Sequence, residues 1–341
     1  MLPQNIFTPN KLQGVKDRIN KASSIVIVAH KSPDGDSIGS SLALYHFIKK
    51  FNQNVVICHP DPAPTFFTWL DGFDSILNYQ NNKEKVKSEI QKSDLMFCLD
   101  FNALSRLGED MSEMVKDSSA FKVMIDHHLH PTDEFDVVFS DTSSCSTAQL
   151  IFEFIEALDS LEMIDSKIGE PIYCGIMTDS GSFRYPSVTT KTHQVIAFLL
   201  EKGVNNAKVH ESVFDTNTIE RLRLRGYATN EKLTIIDKYN TAVLTLTEAE
   251  LEQFGYQNGD TDGLVNVGLS IVGVNKSVFF KESNGIIKIS FRSKGDDNPI
   301  NELAAKYFNG GGHANAAGGR WEGEMNEAVE ELKRVLHEFC D

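Results

Sequence analysis

The chain reads as an α/β protein of two domains, a first domain on a mostly parallel sheet flanked by helices and a smaller second α/β domain. Three observations carry this. Short apolar runs rich in β-branched residues at 25–29, 55–58, 95–99 and 123–125 alternate with helix-period segments at 38–51 and 83–92, the pattern of parallel strands joined by crossover helices. The 341 residues exceed what one core usually holds. After Asn230 the texture changes, and strand-like runs recur at 233–236, 242–246, 277–280 and 286–291.

Taken in order, residues 1–24 form a leading helix with Leu12, Val15 and Ile19 at helical spacing. The alternating region follows. Ser146 or Thr147 then caps a helix carrying Leu150, Ile151, Phe154, Ile155 and Leu158, and a second helix spans about 168–177. Residues 190–229 read as a helical connector between a first domain at 1–189 and a second at 230–341. Its Arg221, Arg223 and Arg225 stand at alternate positions, which cannot form one helical stripe, so they are solvated or packing residues. Helices at 247–254, 298–307 and 325–339 complete the second domain.

Hydrophobic content of 41% and charged content of 24% are those of an ordinary globular protein. The net charge of −15, from 33 basic and 48 acidic residues, leaves no global basic footprint for long nucleic acid. Short or mononucleotide ligands in a local pocket remain compatible with it. No apolar run reaches membrane-spanning length, and residues 1–5 lack the features of a secretory signal, so no membrane partner and a cytoplasmic location are expected. Cys58, Cys98, Cys145, Cys174 and Cys340 show no paired spacing and mostly fall in apolar runs, as buried free thiols of a reducing compartment do.

The chemistry gathers where strands end. Run 25–29 opens into a loop holding His30, Asp34 and Asp36, with Pro33 and Gly35 supplying a turn that can aim all three at one point. Asp36 and Ser37 begin the next helix, whose positive end favours oxygen and negative charge. Run 95–99 ends at Asp100, and the run around Ile125 ends in Asp126, His127 and His128. In parallel sheets, ligands collect outside the strands' carboxyl ends. Asp179 stands in a polar turn with Ser180, Gly181, Ser182 and Arg184, a mix suited to handling phosphate. In the second domain, Gly310, Gly311 and Gly312 precede His313 and a small-residue segment read as a helix start. Glycine N–H groups there can approach an anion, and Arg292 can supply a bidentate phosphate contact.

The first-domain groups are too many for one ion and suit two, which together lower the pKa of a water and stabilise the oxygens of a displacement at phosphorus. Imidazoles mixed with carboxylates suit Mn²⁺ or Co²⁺ better than Mg²⁺. Neither a Walker lysine motif nor a Gly-x-Ser-x-Gly elbow is present.

In motif order and over nearly the whole chain, these residues resemble the DHH phosphoesterases with a DHH-associated C-terminal domain. The likeness is greatest to the branch of bifunctional oligoribonucleases and phosphoadenosine-phosphate phosphatases. The resemblance implies that His30 and Asp34 bind one Mn²⁺, that Asp36, His127 and Asp179 bind the other, and that Asp100 bridges them. It implies that His128 faces the scissile phosphate and that Asp126 orients an imidazole. Arg292, His313 and the Gly310–Gly312 backbone would hold substrate from the second domain across a cleft that closes to exclude water. A homodimer is implied too. Substrates would be short RNA and 3′-phosphoadenosine 5′-phosphate. Linear or cyclic dinucleotides are the alternative, followed by a pyrophosphatase, a RecJ-like single-strand exonuclease and a silent nucleotide sensor. Gly35 is expected to bend the backbone so that Asp34 and Asp36 serve different metals.

Overall fold

Helix α1 (Pro9–Lys21) leads into β1 (Ile25–Ala29), and α2 (Gly35–Ile48), β2 (Val55–His59), β3 (Ile76–Asn78), α3 (Lys83–Lys92) and β4 (Leu95–Leu99) follow. The first unit continues through α4 (Glu109–Asp117), β5 (Phe121–Asp126), β6 (Val137–Ser140), α5 (Thr147–Ala157), α6 (Ser166–Asp179), α7 (Thr190–Glu201) and α8 (Asn206–Phe214). The computed structural model describes residues 6–295 and 298–340, the side chain of Cys340 excepted. The chain divides into two compact units between Thr216 and Asn217, so the helices within residues 190–229 fall on both sides of that division.

The first unit's six strands run in the order β3-β2-β1-β4-β5-β6, all parallel. Every residue of β1 and β4 is buried, which is why both strands read as unbroken apolar runs rather than alternations. Ile25, Ile27, Phe97 and Leu99 pack on one side with α2, α5 and α6. Val26, Val28, Met96 and Cys98 pack on the other with Val86 and Ile90 of α3 and Met111 and Val115 of α4. Helix α2 is buried along nearly its whole length, so it is apolar or small all round rather than striped.

The second unit contains α9 (Ile219–Glu231), β7 (Thr234–Ile236), β8 (Thr241–Leu246), α10 (Glu248–Gln253) and α11 (Leu264–Leu269). After them come β9 (Lys276–Ser283), β10 (Ile286–Ser293), α12 (Ile300–Tyr307), β11 (Gly311–His313), β12 (Ala316–Trp321) and α13 (Met325–Cys340). Its sheet has the order β11-β12-β10-β9-β8-β7; β8 and β9 pair in parallel and the other neighbours antiparallel. Val278, Phe280, Ile289 and Phe291 pack with Leu303 of α12 and Leu332 of α13, and Leu244, Leu246 and Phe279 pack with Leu224 and Leu264 on the other face.

One sequence expectation changes here. The small-residue segment after the glycines is not a helix start: Ala316–Trp321 is a strand paired over six positions with β10. Its Ala and Gly residues carry little strand preference, and the register with a full-length neighbour decides the outcome. The short β3, β6 and β11, and helices α4 and α11, lacked enough periodicity to be read in advance. Arg225 does take a packing role, with Nη1 donating to the Asp262 carbonyl at 2.8 Å, while Arg223 is exposed. Cys58, Cys98, Cys145 and Cys174 are buried and free; the side chain of Cys340 lies outside the described residues. No helix among the described residues is long and apolar enough to cross a membrane.

Helices α2 and α6 pack so closely that a Cβ on Gly39 would lie 2.4 Å from the Pro171 carbonyl oxygen. Gly14 in α1 has nothing within 4 Å of the same position. Gly39→Ala therefore forces the helices apart and is expected to cost about 1–3 kcal/mol. Gly14→Ala should be neutral or stabilise by up to about 1 kcal/mol. Urea unfolding of the two variants followed by circular dichroism checks the contrast, and equal midpoints would remove the close-approach explanation.

Candidate metal centre

Sheet register assembles the site. Ala29 pairs with Leu99 and Leu99 with Ile125, so His30, Asp100 and Asp126 each stand one position beyond a matched row, at the carboxyl ends of three adjacent strands. The strand order reverses between β1 and β4, and such a switch point opens a crevice above the sheet. Asp100 leaves β4 with φ +63°, a left-handed conformation uncommon for residues other than Gly, Asn and Asp. Helix α2 presents Asp34 as its N-cap, accepting from the Asp36 and Ser37 amides at 3.1 and 3.0 Å, while the Ser37 hydroxyl accepts from the Asp34 amide at 2.9 Å. The cap is thus Asp34, two residues before Asp36, where the sequence suggested the helix start. Asp179 is the last residue of α6.

Three overlapping groups of donors share Asp100, one of them with Asp126 and His128. His30, Asp34 and Asp100 each offer an atom within 4.8 Å of the others, and so do Asp36, Asp100 and His127. Asp100 belongs to both through different oxygens: Oδ2 lies 3.3 Å from His30 Nε2 and Oδ1 lies 3.6 Å from His127 Nε2. Asp34 Oδ2 is 3.6 Å from His30 Nε2, and Asp179 Oδ2 is 3.5 Å from His127 Nε2. Asp126 faces a different ring, with its Oδ1 2.7 Å from His128 Nδ1 and its Oδ2 accepting the His128 amide at 3.1 Å.

The donor set fits divalent cations. His30 Nδ1 lies 2.8 Å from the Lys31 carbonyl oxygen, and His127 Nδ1 lies 3.2 Å from that of Ser144. A carbonyl accepts only from N–H, so each ring turns Nε2 toward the carboxylates. A neutral imidazole would place a lone pair against carboxylate oxygens there. That arrangement calls for a proton or a cation between them.

The titration behaviour carries the same message. Burial would lower His30, but Asp34 and Asp100 raise it well above its ordinary value. Burial would raise Asp100, but the hydrogen bond and charge of His30, with His128 and His127, hold it far below the usual carboxylate range. Burial and the charges of Asp100 and Asp179 push Asp36 well up. Burial pushes Asp179 up to about 6 even beside His127. Burial would lower His128, and the Asp126 hydrogen bond leaves it raised.

Other expected site residues lie in less defined settings. Arg184 is exposed, with Nε donating to the Gly181 carbonyl at 3.0 Å. In the second unit, Arg292 pairs with Ala316 and Ala316 with His313, so the three form one cross-strand row with Arg292 and His313 roughly 9–10 Å apart. Gly311 and Gly312 belong to β11, and Gly310 precedes it, where a Cβ would lie 2.0 Å from the Gly318 carbonyl oxygen. The chain turns from extended backbone at Asp34 into α2 at Gly35, and Asp34 and Asp36 fall in different donor groups. Gly35 starts α2 outside the positive-φ residues, and a Cβ there would fall 2.3 Å from Thr178 Oγ1. Its role is close approach to α6.

Sequence reasoning missed the segment 144–148. Thr147 and Ala148 amides donate to Asp36 Oδ2 and Oδ1 at 2.7 and 2.8 Å, and the Thr147 hydroxyl donates to Asp100 Oδ1 at 3.0 Å. Ser146 or Thr147 was expected only as a cap, and Ser146 does cap α5, accepting from the Gln149 amide at 3.0 Å. Nothing in the sequence spacing ties this segment to residues 36 and 100, which lie far from it along the chain.

Comparison with known proteins gives the family. The model of the DHH family N-terminal domain matches residues 24–176, and that of the DHHA1 domain matches residues 238–340. The crystal structure of an exopolyphosphatase-related protein from Bacteroides fragilis superposes with a TM-score of 0.93 at 40% identity, covering 97% of each chain. The bifunctional oligoribonuclease and PAP phosphatase NrnA of Bacillus subtilis is 27% identical over 94% of this chain and 97% of its own. The cyclic-di-AMP phosphodiesterase GdpP of the same organism is 24% identical over 96% of this chain, which spans 49% of that protein. With both domain models matched in order and a 40% identical relative along its length, the chain belongs to the DHH phosphoesterase family.

Proposed function

We propose that this protein is a Mn²⁺-dependent phosphoesterase of the cytoplasm that removes mononucleotides from short oligoribonucleotides and hydrolyses 3′-phosphoadenosine 5′-phosphate to AMP. The observation that carries the reading is Asp100, whose two oxygens face two separate imidazole–carboxylate groups. The similarity to the oligoribonuclease and PAP phosphatase of Bacillus subtilis supports the substrate class. Buried free cysteines fit a reducing compartment.

In this reading His30 and Asp34 would hold one ion, Asp36, His127 and Asp179 the other, and Asp100 would serve both. Bound divalent ions would supply Lewis-acid stabilisation of the phosphate oxygens and a water of lowered pKa. The chain's own residues do the rest. The Lys31 and Ser144 carbonyls fix the His30 and His127 rings, so ligand orientation is set before substrate arrives. Asp126 holds His128 Nδ1–H and favours the imidazolium, which lets His128 offset phosphate charge and give a proton to the leaving oxygen. Arg292, His313, the Gly310–Gly312 backbone and Arg184 serve as substrate contacts from a guanidinium, an imidazole and backbone N–H groups. A second reading, a phosphodiesterase for linear or cyclic dinucleotides, draws on the similarity to GdpP.

Three outcomes test these statements. Asp100→Ala should lower kcat by about 10³-fold or more, since several kcal/mol of charge stabilisation are at stake and each decade is about 1.4 kcal/mol. Its circular dichroism should stay native; near-normal turnover with Mn²⁺ would remove the shared-ligand assignment.

Initial rates at fixed Mn²⁺ on phosphoadenosine phosphate, dinucleotides, five-mers and long single strands separate the substrate readings. The first and third of these, with dinucleotides, should exceed long strands by about tenfold or more, because a −15 chain offers few of the basic contacts that long strands use. Activity confined to dinucleotides would favour the second reading, and a preference for long strands would overturn both.

The third outcome concerns pH. In metal-free protein the folded pKa values of Asp36 and Asp179 are raised, so as pH climbs from about 4 the fold keeps protons the unfolded chain has lost, and stability falls. His30, also raised, stabilises the fold fully below its ordinary pKa and loses that contribution as pH rises through its folded value. Asp34 and Asp100 are lowered and act at more acid pH. The Tm of chelator-treated protein should therefore drop from about pH 5.5 to 8, while the Tm increment on adding Mn²⁺ grows over the same interval. An increment that shrinks with pH would contradict the assignment.

A further inference from the structure

Thr147 is fully buried at the first position of α5, and it touches two of the proposed ligands at once. Its amide donates to Asp36 Oδ2 at 2.7 Å and its hydroxyl donates to Asp100 Oδ1 at 3.0 Å. The first three amides of α5 are all engaged, two on the Asp36 carboxylate and the third on the Ser146 hydroxyl, so the helix end has no donor to spare for Asp100. A hydroxyl at this first position also has no helical carbonyl four residues back to bond, which is where a threonine inside a helix commonly spends its proton. The O–H is thus directed outward, to the carboxylate.

Asp100 needs such a partner. It follows β4 with φ +63°, so the sheet does not dictate where its carboxylate points. Its two oxygens must stay assigned, Oδ2 toward His30 and Oδ1 toward His127, or a single side chain cannot serve both donor groups. A hydroxyl bond to Oδ1 removes one of the lone pairs of that oxygen and blocks rotation of the carboxylate.

We propose that Thr147 is a positioning residue whose hydroxyl orients the Asp100 carboxylate, and whose amide ties Asp36 to the same helix end, so that the two donor groups act as one dinuclear centre. This rests on the two-metal reading above. Thr147 takes no part in bond making; it sets the separation and relative orientation of the carboxylates that do the binding. Hydrogen-bond partners of this kind typically change metal affinity 10–100-fold when removed.

The test uses the full chain stripped of metal and titrated with Mn²⁺, with calorimetry for stoichiometry and affinity and electron paramagnetic resonance for the exchange-coupled Mn²⁺ pair. Thr147→Val keeps the shape and the amide and removes the hydroxyl; Thr147→Ala removes it without a γ-methyl to pack; Thr147→Ser keeps it. Wild-type protein binding fewer than two ions would defeat the two-metal reading itself, whatever the variants do. With two ions bound to wild type, the Val and Ala variants are expected to weaken the second binding step about tenfold or more and to lose the coupled signal. The Ser variant should stay within about twofold of wild type, well below that range. Val and Ala variants with wild-type affinities and spectrum would overturn the proposal, as would a Ser variant impaired as badly as Val. Should the Val variant fail to fold by circular dichroism, the Ala and Ser pair decides the question by the same readouts.

Discussion

Asp36 and Asp100 are almost wholly buried, and Asp179 shares their imidazole neighbour. Carboxylates gathered out of water cannot all stay ionised unless positive charge or hydrogen-bond donors answer each one. The fold answers some of them. Asp34 takes two amides of α2, Asp36 takes two amides of α5, and Asp100 takes the Thr147 hydroxyl and the charge of His30. Even with two helix amides, which favour negative charge, Asp36 is pushed well up, and Asp179 stands near 6. Donors from the chain therefore do not balance the charge assembled. The remaining deficit is one that divalent cations can fill.

That concentration of charge is a product of sheet register and helix spacing rather than of local sequence. Three parallel strands end in matched rows, and β1 and β4 meet where the strand order reverses. Helices α2 and α6 then close over the strand ends, near enough that glycine is required at their contacts. A Cβ at Gly175 would lie 2.5 Å from the Ala148 Cβ and 2.9 Å from Asp36 Oδ1. The same approach that packs the core thus brings Asp179, at the end of α6, to within 3.5 Å of His127. Packing and ligand geometry are one requirement here, so a glycine far from any metal in role can still control the site.

The first domain was legible because its signals are local. Buried parallel strands write themselves as unbroken apolar runs, and His30, Asp100 and the Asp126–His128 triplet each follow such a run directly. Other features were not legible, each for a physical reason. The strand Ala316–Trp321 depends on a partner elsewhere in the chain, and its alanines and glycines say nothing about that partner. Gly35 reads in the sequence as a bend between two carboxylates, and nothing there shows that the Thr178 side chain on another helix also leaves no room for a Cβ. The contacts of Thr147 with residues 36 and 100 span more than forty positions each, and periodicity carries no information over that distance.

The proposed chemistry draws only on residues 30–179, and those residues would treat any phosphate ester alike. Selection among substrates has to come from groups that read more than one phosphate. The second unit offers a short row, with Arg292 and His313 separated by the small side chain of Ala316 on adjoining strands. Such a row can engage one terminal phosphate and a neighbouring group, through a bidentate guanidinium and backbone amides beside glycines. It cannot track a long backbone. Each phosphate a protein neutralises adds about one unit to the dependence of binding on salt concentration. In the proposed reading few cations meet the substrate, and its binding would depend only shallowly on salt.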